Sequence, residues 1–130
     1  MPTPPHNEST VLVVDDEPLL RMNATDILEE AGFATVDACN AQEALAQIVC
    51  HPEISALFTD INMPGDFDGL ELARRVHERR PDIQIILTSG RHPPTKGDIP
   101  GSGRFLPKPY DGAVLITLLL ARRGERRNTR

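Results

Sequence analysis

The chain has little with which to staple, anchor or globally charge itself. Cys39 and Cys50 are its only cysteines, and no apolar signal segment opens the sequence, so a secreted disulfide scaffold is disfavoured and a cytoplasmic location with reduced thiols is expected. His6, His51, His77 and His92 show no metal-ligand spacing, and two distant cysteines make no zinc pattern. The longest uncharged apolar run, Gly112 to Ala121, is about half of what a membrane-spanning helix needs, so no membrane partner is expected. Positive charge is not in excess: 14 Lys and Arg stand against 19 Asp and Glu, a net charge of −5. No global field therefore favours nucleic acid or an acidic membrane. Two local exceptions, Arg74 to Arg80 and Arg122 to Arg130, read as the solvated face of a helix and a charged, flexible tail.

What is present is a rhythm. At 130 residues the chain suits one domain, expected over residues 10–121 between a proline-rich, disordered leader (1–9) and the basic tail (122–130). Short β-branched runs alternate with helical spacing, the signature of βαβ units and a parallel sheet. Strands are expected at Val11 to Val14, Phe33 to Ala38, Ile54 to Thr59, Ile83 to Thr88 and Arg104 to Leu106. Pro18 opens a first helix with Leu20, Ala24, Ile27 and Ala31 inward, which Gly32 is placed to end in a left-handed cap. Asn40 to Glu43 resembles a capping box before a helix burying Leu45, Ile48 and Val49. A third helix, from about Gly69 to Arg80, turns Leu70, Ala73 and Val76 inward and is stopped by Pro81. Asp111 can cap a last helix reaching about Ala121.

The fourth helix is missing from this rhythm. Residues 91–104, RHPPTKGDIPGSGR, hold three prolines and three glycines, and interior helical positions cost about 3 kcal/mol per proline and about 1 per glycine. A loop, or at most one turn, is expected there.

Polar residues stand at the ends of four of the apolar runs: Asp15 and Asp16 after TVLVV, Asp60 after ISALFT, Thr88 after IQIIL, and Lys108 just beyond RFLP. In an open parallel sheet the carboxyl ends of the strands share one edge, so these groups would meet in one crevice. Each has a plainer reading. Asp15 and Asp16 could cap a helix, worth at most about 1 kcal/mol each when exposed; Asp60 could be a turn residue, Thr88 a strand former and Lys108 a solvated lysine. None of these explains three carboxylates and an ammonium converging on one edge.

The segments VLVVDDEP, FTDINMP, ILTSG and FLPKPY, in that order and spacing, resemble the receiver domain of two-component response regulators. The resemblance runs from about Thr10 to Ala121 and implies a flavodoxin-like, doubly wound five-stranded parallel sheet, (β/α)5, with the fourth helix short or replaced by a loop. It also implies that Asp60 is the phosphoacceptor, that Lys108 supplies positive charge, and that Thr88 moves to hydrogen-bond the phosphoryl group. Phe105 stays open between core residue and switch aromatic. A carboxylate can attack phosphorus, and phosphoryl transfer asks mainly for positioning and charge neutralisation. Mg2+ prefers hard oxygen ligands and keeps several waters, so Asp16, Asp60 and the backbone carbonyl of Asn62 would suffice, with Asp15 acting through a water. The small Ser89 and Gly90 would leave the phosphoryl group accessible.

The implied partners are a sensor histidine kinase or phosphotransfer protein and a downstream protein, with the chain read as a stand-alone signalling phosphoacceptor rather than a turnover enzyme. A receiver excised from a hybrid kinase is the alternative. A phosphohydrolase of the haloacid dehalogenase type uses similar groups, but there the nucleophile lies in a DxD motif on the first strand. The loop after Asp60 is one residue longer than the commonest receiver version and adds Asp66. The nearly all-apolar VLITLLLA of the last helix suggests a partner or homodimer surface using Leu115, Ile116 and Leu119.

Overall fold

Five short runs form strands, the three inner ones buried along nearly their whole length and the two edge strands only in part. The computed structural model describes residues 9–65, 67–91 and 93–128. The expected leader ahead of Ser9, Asp66, and the side chains of the arginine-rich end lie outside that description. The elements run β1 (Thr10–Val14), α1 (Pro18–Glu30), β2 (Ala34–Ala38), α2 (Ala41–Cys50), β3 (Ile54–Asp60), α3 (Gly69–Arg79), β4 (Gln84–Ser89), a 3-10 turn (Lys96–Asp98), β5 (Arg104–Pro107) and α4 (Gly112–Asn128). The strands form one parallel sheet in the order β2-β1-β3-β4-β5. Where the rhythm calls for another helix, the described residues of the proline- and glycine-rich stretch make only the 3-10 turn, as the helix penalty requires.

Alternation along the strands divides the core in two. Leu12, Val14, Leu57, Ile85 and Leu87 face α2 and α3, while Val11, Val13, Ala56, Phe58 and Ile86 face α1 and α4. Helix starts follow local chemistry. Pro18 occupies the first turn of α1. Asn40 Oδ1 accepts from Glu43 N at 2.8 Å while Glu43 Oε1 accepts from Cys39 N at 2.7 Å, a reciprocal cap. Asp111 Oδ1 accepts from Ala113 N at 2.8 Å. Gly32 has φ of +97°, the left-handed region that favours glycine after a helix.

Four inward faces differ from the sequence reading. In α1 the buried pair is Ala24 and Leu28, with Ile27 and Ala31 only half-buried. Leu20 stands 44 % exposed because it lies past the end of the sheet, where it lines a cavity instead. In α2 the buried stripe is Ala41, Ala44 and Ile48; Val49 lies about 100° further round the helix and is 70 % exposed. In α3 the fully buried leucine is Leu72, and Leu70 is only partly covered. In α4, Leu115 and Leu119 are 0 % and 2 % exposed and belong to the molecule's own core. They cannot form a partner surface, whereas Val114 is exposed and Ile116 partly so. The helix also continues to Asn128, beyond the expected end at about Ala121. Both cysteines are free thiols, Cys39 half-buried and Cys50 exposed.

Candidate functional site

The parallel register sets the polar strand ends side by side. Asp60 pairs with Thr88 across β3 and β4, and Ser89 with Pro107 across β4 and β5. Lys108 is then carried one residue past β5, its N–H donating to the Ser89 carbonyl at 2.9 Å. From there its Nζ donates to Asp60 Oδ2 at 3.1 Å and to Asp15 Oδ2 at 3.3 Å. The edge effect therefore brings Asp15, Asp60, Thr88 and Lys108 together. Asp16, exposed at the rim, joins Asp15 and Asp60: each offers one carboxylate oxygen, and these atoms lie within 4.8 Å of one another.

The charges do not balance at neutral pH, three carboxylates facing one ammonium. Such a cluster of hard oxygens carrying surplus negative charge fits a hard divalent cation such as Mg2+. Asn62 stands at the same rim. Its N–H donates to Asp60 Oδ1 at 3.2 Å, and its Oδ1 accepts from Ser89 Oγ at 2.5 Å.

A second feature is an unmet hydrogen bond. Thr88 is 2 % exposed, yet its Oγ1 is buried with no partner. An orphaned buried hydroxyl costs about 1–3 kcal/mol, so this site carries polar capacity that the resting protein does not use. The hydroxyl's residue lines a cavity of about 400 Å³ together with Asp15, Asp60, Lys108, Leu20, Phe58 and Tyr110. Tyr110 packs edge-on against Phe58, ring centres 5.4 Å apart at 85°. Phe105, half-buried, packs against the α2–α3 side of the core from β5.

Burial pushes the Asp60 carboxyl above its ordinary pKa; the Lys108 ammonium and the Asn62 N–H pull it back only in part, and the charge of Asp15 adds to the rise. For Lys108, burial pulls the pKa down, but hydrogen bonding to Asp60 and the charges of Asp15 and Asp60 outweigh it and leave it raised. The two shifts share a sign for different reasons: for Asp60 desolvation wins, for Lys108 the two anions win. Burial, with the charge of Asp15, likewise raises the Tyr110 hydroxyl.

A raised carboxyl pKa in the folded state means that folding binds the proton more tightly. That stabilising contribution is complete below the ordinary aspartate pKa and is lost as pH rises through the raised one. In Mg2+-free buffer, wild-type protein should therefore lose thermal stability relative to Asp60→Asn as pH climbs through this window. Paired melting curves against pH test this, and a flat difference would show that burial does not govern the Asp60 carboxyl.

Four contacts were not foreseen from the motifs. Arg21 donates from Nη1 to the Asp15 carbonyl at 2.7 Å and from Nε to Asp37 at 3.2 Å, tying the acidic turn to β2. Gly69, at the start of α3, presses against the Asp60 peptide so closely that a Cβ would sit 2.0 Å from its carbonyl oxygen. Tyr110 walls the cavity, and the Ser89 hydroxyl engages the Asn62 side chain. Ser89 and Tyr110 had a signal, since they stand inside ILTSG and FLPKPY, next to Thr88 and two residues after Lys108, while Arg21 and the close approach of Gly69 had none.

A family model described as the response regulator receiver domain matches residues 11–120. The chain is 33% identical over 117 residues to the C4-dicarboxylate transport transcriptional regulatory protein DctD of Pseudomonas aeruginosa, covering 84% of this chain and 24% of that protein. It is 31% identical over 117 residues to Protein PilG of the same organism, covering 85% of this chain and 84% of PilG. It thus spans about a quarter of the length of DctD. A solved response regulator receiver protein from Pseudomonas putida matches with a TM-score of 0.76 and 29% identity, covering 87% of this chain and 96% of that one.

Proposed function

Because the chain belongs to the response regulator receiver domain family, we propose that it takes a phosphoryl group from a phosphohistidine of a sensor kinase or phosphotransfer protein onto Asp60. The observation that carries this is the bridge from Lys108 Nζ to both Asp15 and Asp60, beside the orphaned hydroxyl of Thr88. An Asp60 carboxylate oxygen forms a bond to phosphorus as the phosphorus–nitrogen bond of the donor breaks, and the imidazole leaves. Little covalent chemistry is asked of the protein beyond holding the nucleophile in line and offsetting charge on the phosphoryl oxygens.

Each residue has a part in that task. Asp16, Asp60 and the Asn62 carbonyl would hold Mg2+, with Asp15 contacting it through a water. When bound, the ion neutralises the nucleophile and the incoming phosphoryl oxygens, which otherwise repel. Lys108, already between two carboxylates, turns its ammonium toward the new dianion. Thr88 donates its unused hydroxyl to a phosphoryl oxygen, which removes the cost of the orphan. Phe105 follows inward as a switch aromatic, paired in register with Leu87, the residue before Thr88, and the surface around β5 changes for a downstream protein. The unit that does this spans residues 10–121. The reaction stops at one phosphoryl group per chain, apart from hydrolysis of that group.

Incubation with Mg2+ and acetyl phosphate, read by intact mass, tests the proposal. One acid-stable, base-labile phosphoryl adduct per chain is expected. Continuous release of phosphate from phosphate esters would instead mark a phosphohydrolase.

Mg2+ should also stabilise the fold by binding the native state. At roughly ten times its Kd the gain is about 1.4 kcal/mol, an upward Tm shift of about 5 °C for a domain of this size. Asp16→Asn, an exposed substitution, should abolish most of that shift. An equal shift in the variant would remove Asp16 from the metal site.

A further inference from the structure

Beyond Asp60 the strand ladder ends, although Ile61 is still held, its N–H donating to the Thr88 carbonyl and its carbonyl accepting from Gly69 N–H, each at 2.9 Å. Asn62 is itself exposed, in an irregular stretch between the buried Ile61 and Met63 that continues through Pro64 and Gly65, the latter at φ +121°. Its backbone carbonyl is nevertheless the oxygen assigned above to Mg2+. A single carbonyl on a loop contributes to binding only to the extent that the loop is held in place before the ion arrives.

Asn62 itself makes two hydrogen bonds. One runs from Asn62 N–H to Asp60 Oδ1 at 3.2 Å, but its acceptor is itself assigned to the ion, so the two compete for the same carboxylate. The other is independent of the metal: Ser89 Oγ donates to Asn62 Oδ1 at 2.5 Å. Ser89 is a firm anchor. It is buried at the end of β4, its carbonyl accepts from Lys108 N–H at 2.9 Å, and its Oγ accepts from Arg91 N–H at 3.0 Å. Groups that orient a ligand without touching the ion commonly set its affinity.

We propose that Ser89 is a positioning residue for magnesium, its hydroxyl clasping the Asn62 side chain and so fixing the carbonyl that serves the ion. This deepens the proposed function and rests on its assignment of the Asn62 carbonyl to Mg2+. Ser89 also follows Thr88 directly on β4, so the same clasp ties the loop that serves the ion to the strand that carries the hydroxyl for the phosphoryl group.

The test is a double-mutant cycle read as Mg2+ affinity by calorimetric titration of the full chain with MgCl2, alongside Tm in metal-free buffer. Ser89→Ala should weaken Mg2+ binding about 3- to 10-fold, the range for one lost hydrogen bond. Asn62→Ala, which keeps its backbone carbonyl, should weaken it by the same factor, and the double variant no further, because one interaction is lost in all three. Asn62 is exposed, so its variant still reads the clasp if Ser89→Ala lowers the metal-free Tm. Unchanged affinity in both single variants, or losses that multiply in the double variant, would overturn the clasp while leaving the metal site intact. Absence of Mg2+ binding by the wild type would overturn the metal assignment and the clasp with it.

Discussion

Asp60→Asn should yield no phosphoryl adduct after incubation with Mg2+ and acetyl phosphate under conditions that label the wild type to one group per chain. The substitution is nearly isosteric and leaves the β3–β4 register, the Asn62 N–H and the Lys108 ammonium in place. What it removes is the anionic oxygen that must attack phosphorus. Asp15 and Asp16 cannot substitute, because both lie at the end of β1 while Thr88 is registered against Asp60. Preserved fold is part of the expectation, since a buried carboxylate with a raised pKa is replaced by a neutral amide. Intact mass and circular dichroism on one sample separate loss of the nucleophile from loss of the fold. An undiminished adduct would move the phosphoryl group to another residue.

Gly69→Ala should be among the most damaging single-methyl additions available in this chain. A Cβ there would stand 2.0 Å from the Asp60 carbonyl oxygen and 2.8 Å from both the Asp60 carbonyl carbon and the Ile61 Cα. All three are backbone atoms, so no side chain can swing aside. Gly69 N–H also donates to the Ile61 carbonyl at 2.9 Å, which keeps the start of α3 from backing away. Overpacking of this kind costs about 3 kcal/mol, a fall in Tm of roughly 10 °C. Helix propensity alone gives the opposite sign, a gain of about 1 kcal/mol for alanine over glycine. Thermal denaturation decides between them. Because the displaced peptide is that of Asp60, the labelling rate should fall as well, even at temperatures where the variant is folded. A Tm at or above that of the wild type would show that α3 can tilt to admit a methyl group.

The contrast bears on what could be read from the residues alone. Strand ends are legible because β-branched runs stop at identifiable polar residues, and a parallel sheet places every such end on one edge. That rule brought Asp15, Asp60, Thr88 and Lys108 together without knowledge of any contact. The missing helix between Gly90 and Phe105 was legible for a local reason too, since proline and glycine act on the backbone of their own segment. Inward faces were less so. Periodicity marks an apolar stripe but not how the helix is rolled on its sheet, and so Val49 turned outward while Leu28 and Leu72 turned in. In α4 the all-apolar pattern pointed to an outside partner for Leu115 and Leu119, but the α1–α4 side of the sheet covers them fully.

The order of elements, the parallel sheet and the set of polar side chains at its edge could be read from the residues, because those depend on backbone preferences and on which residue ends each strand. Only the tertiary structure decided the pressure of Gly69 on the Asp60 peptide, the orphaned hydroxyl of Thr88 and the clasp of Ser89 on Asn62. Each of these depends on the separation of segments, which register and helix placement set to within an ångström. No spacing along the chain encodes that distance.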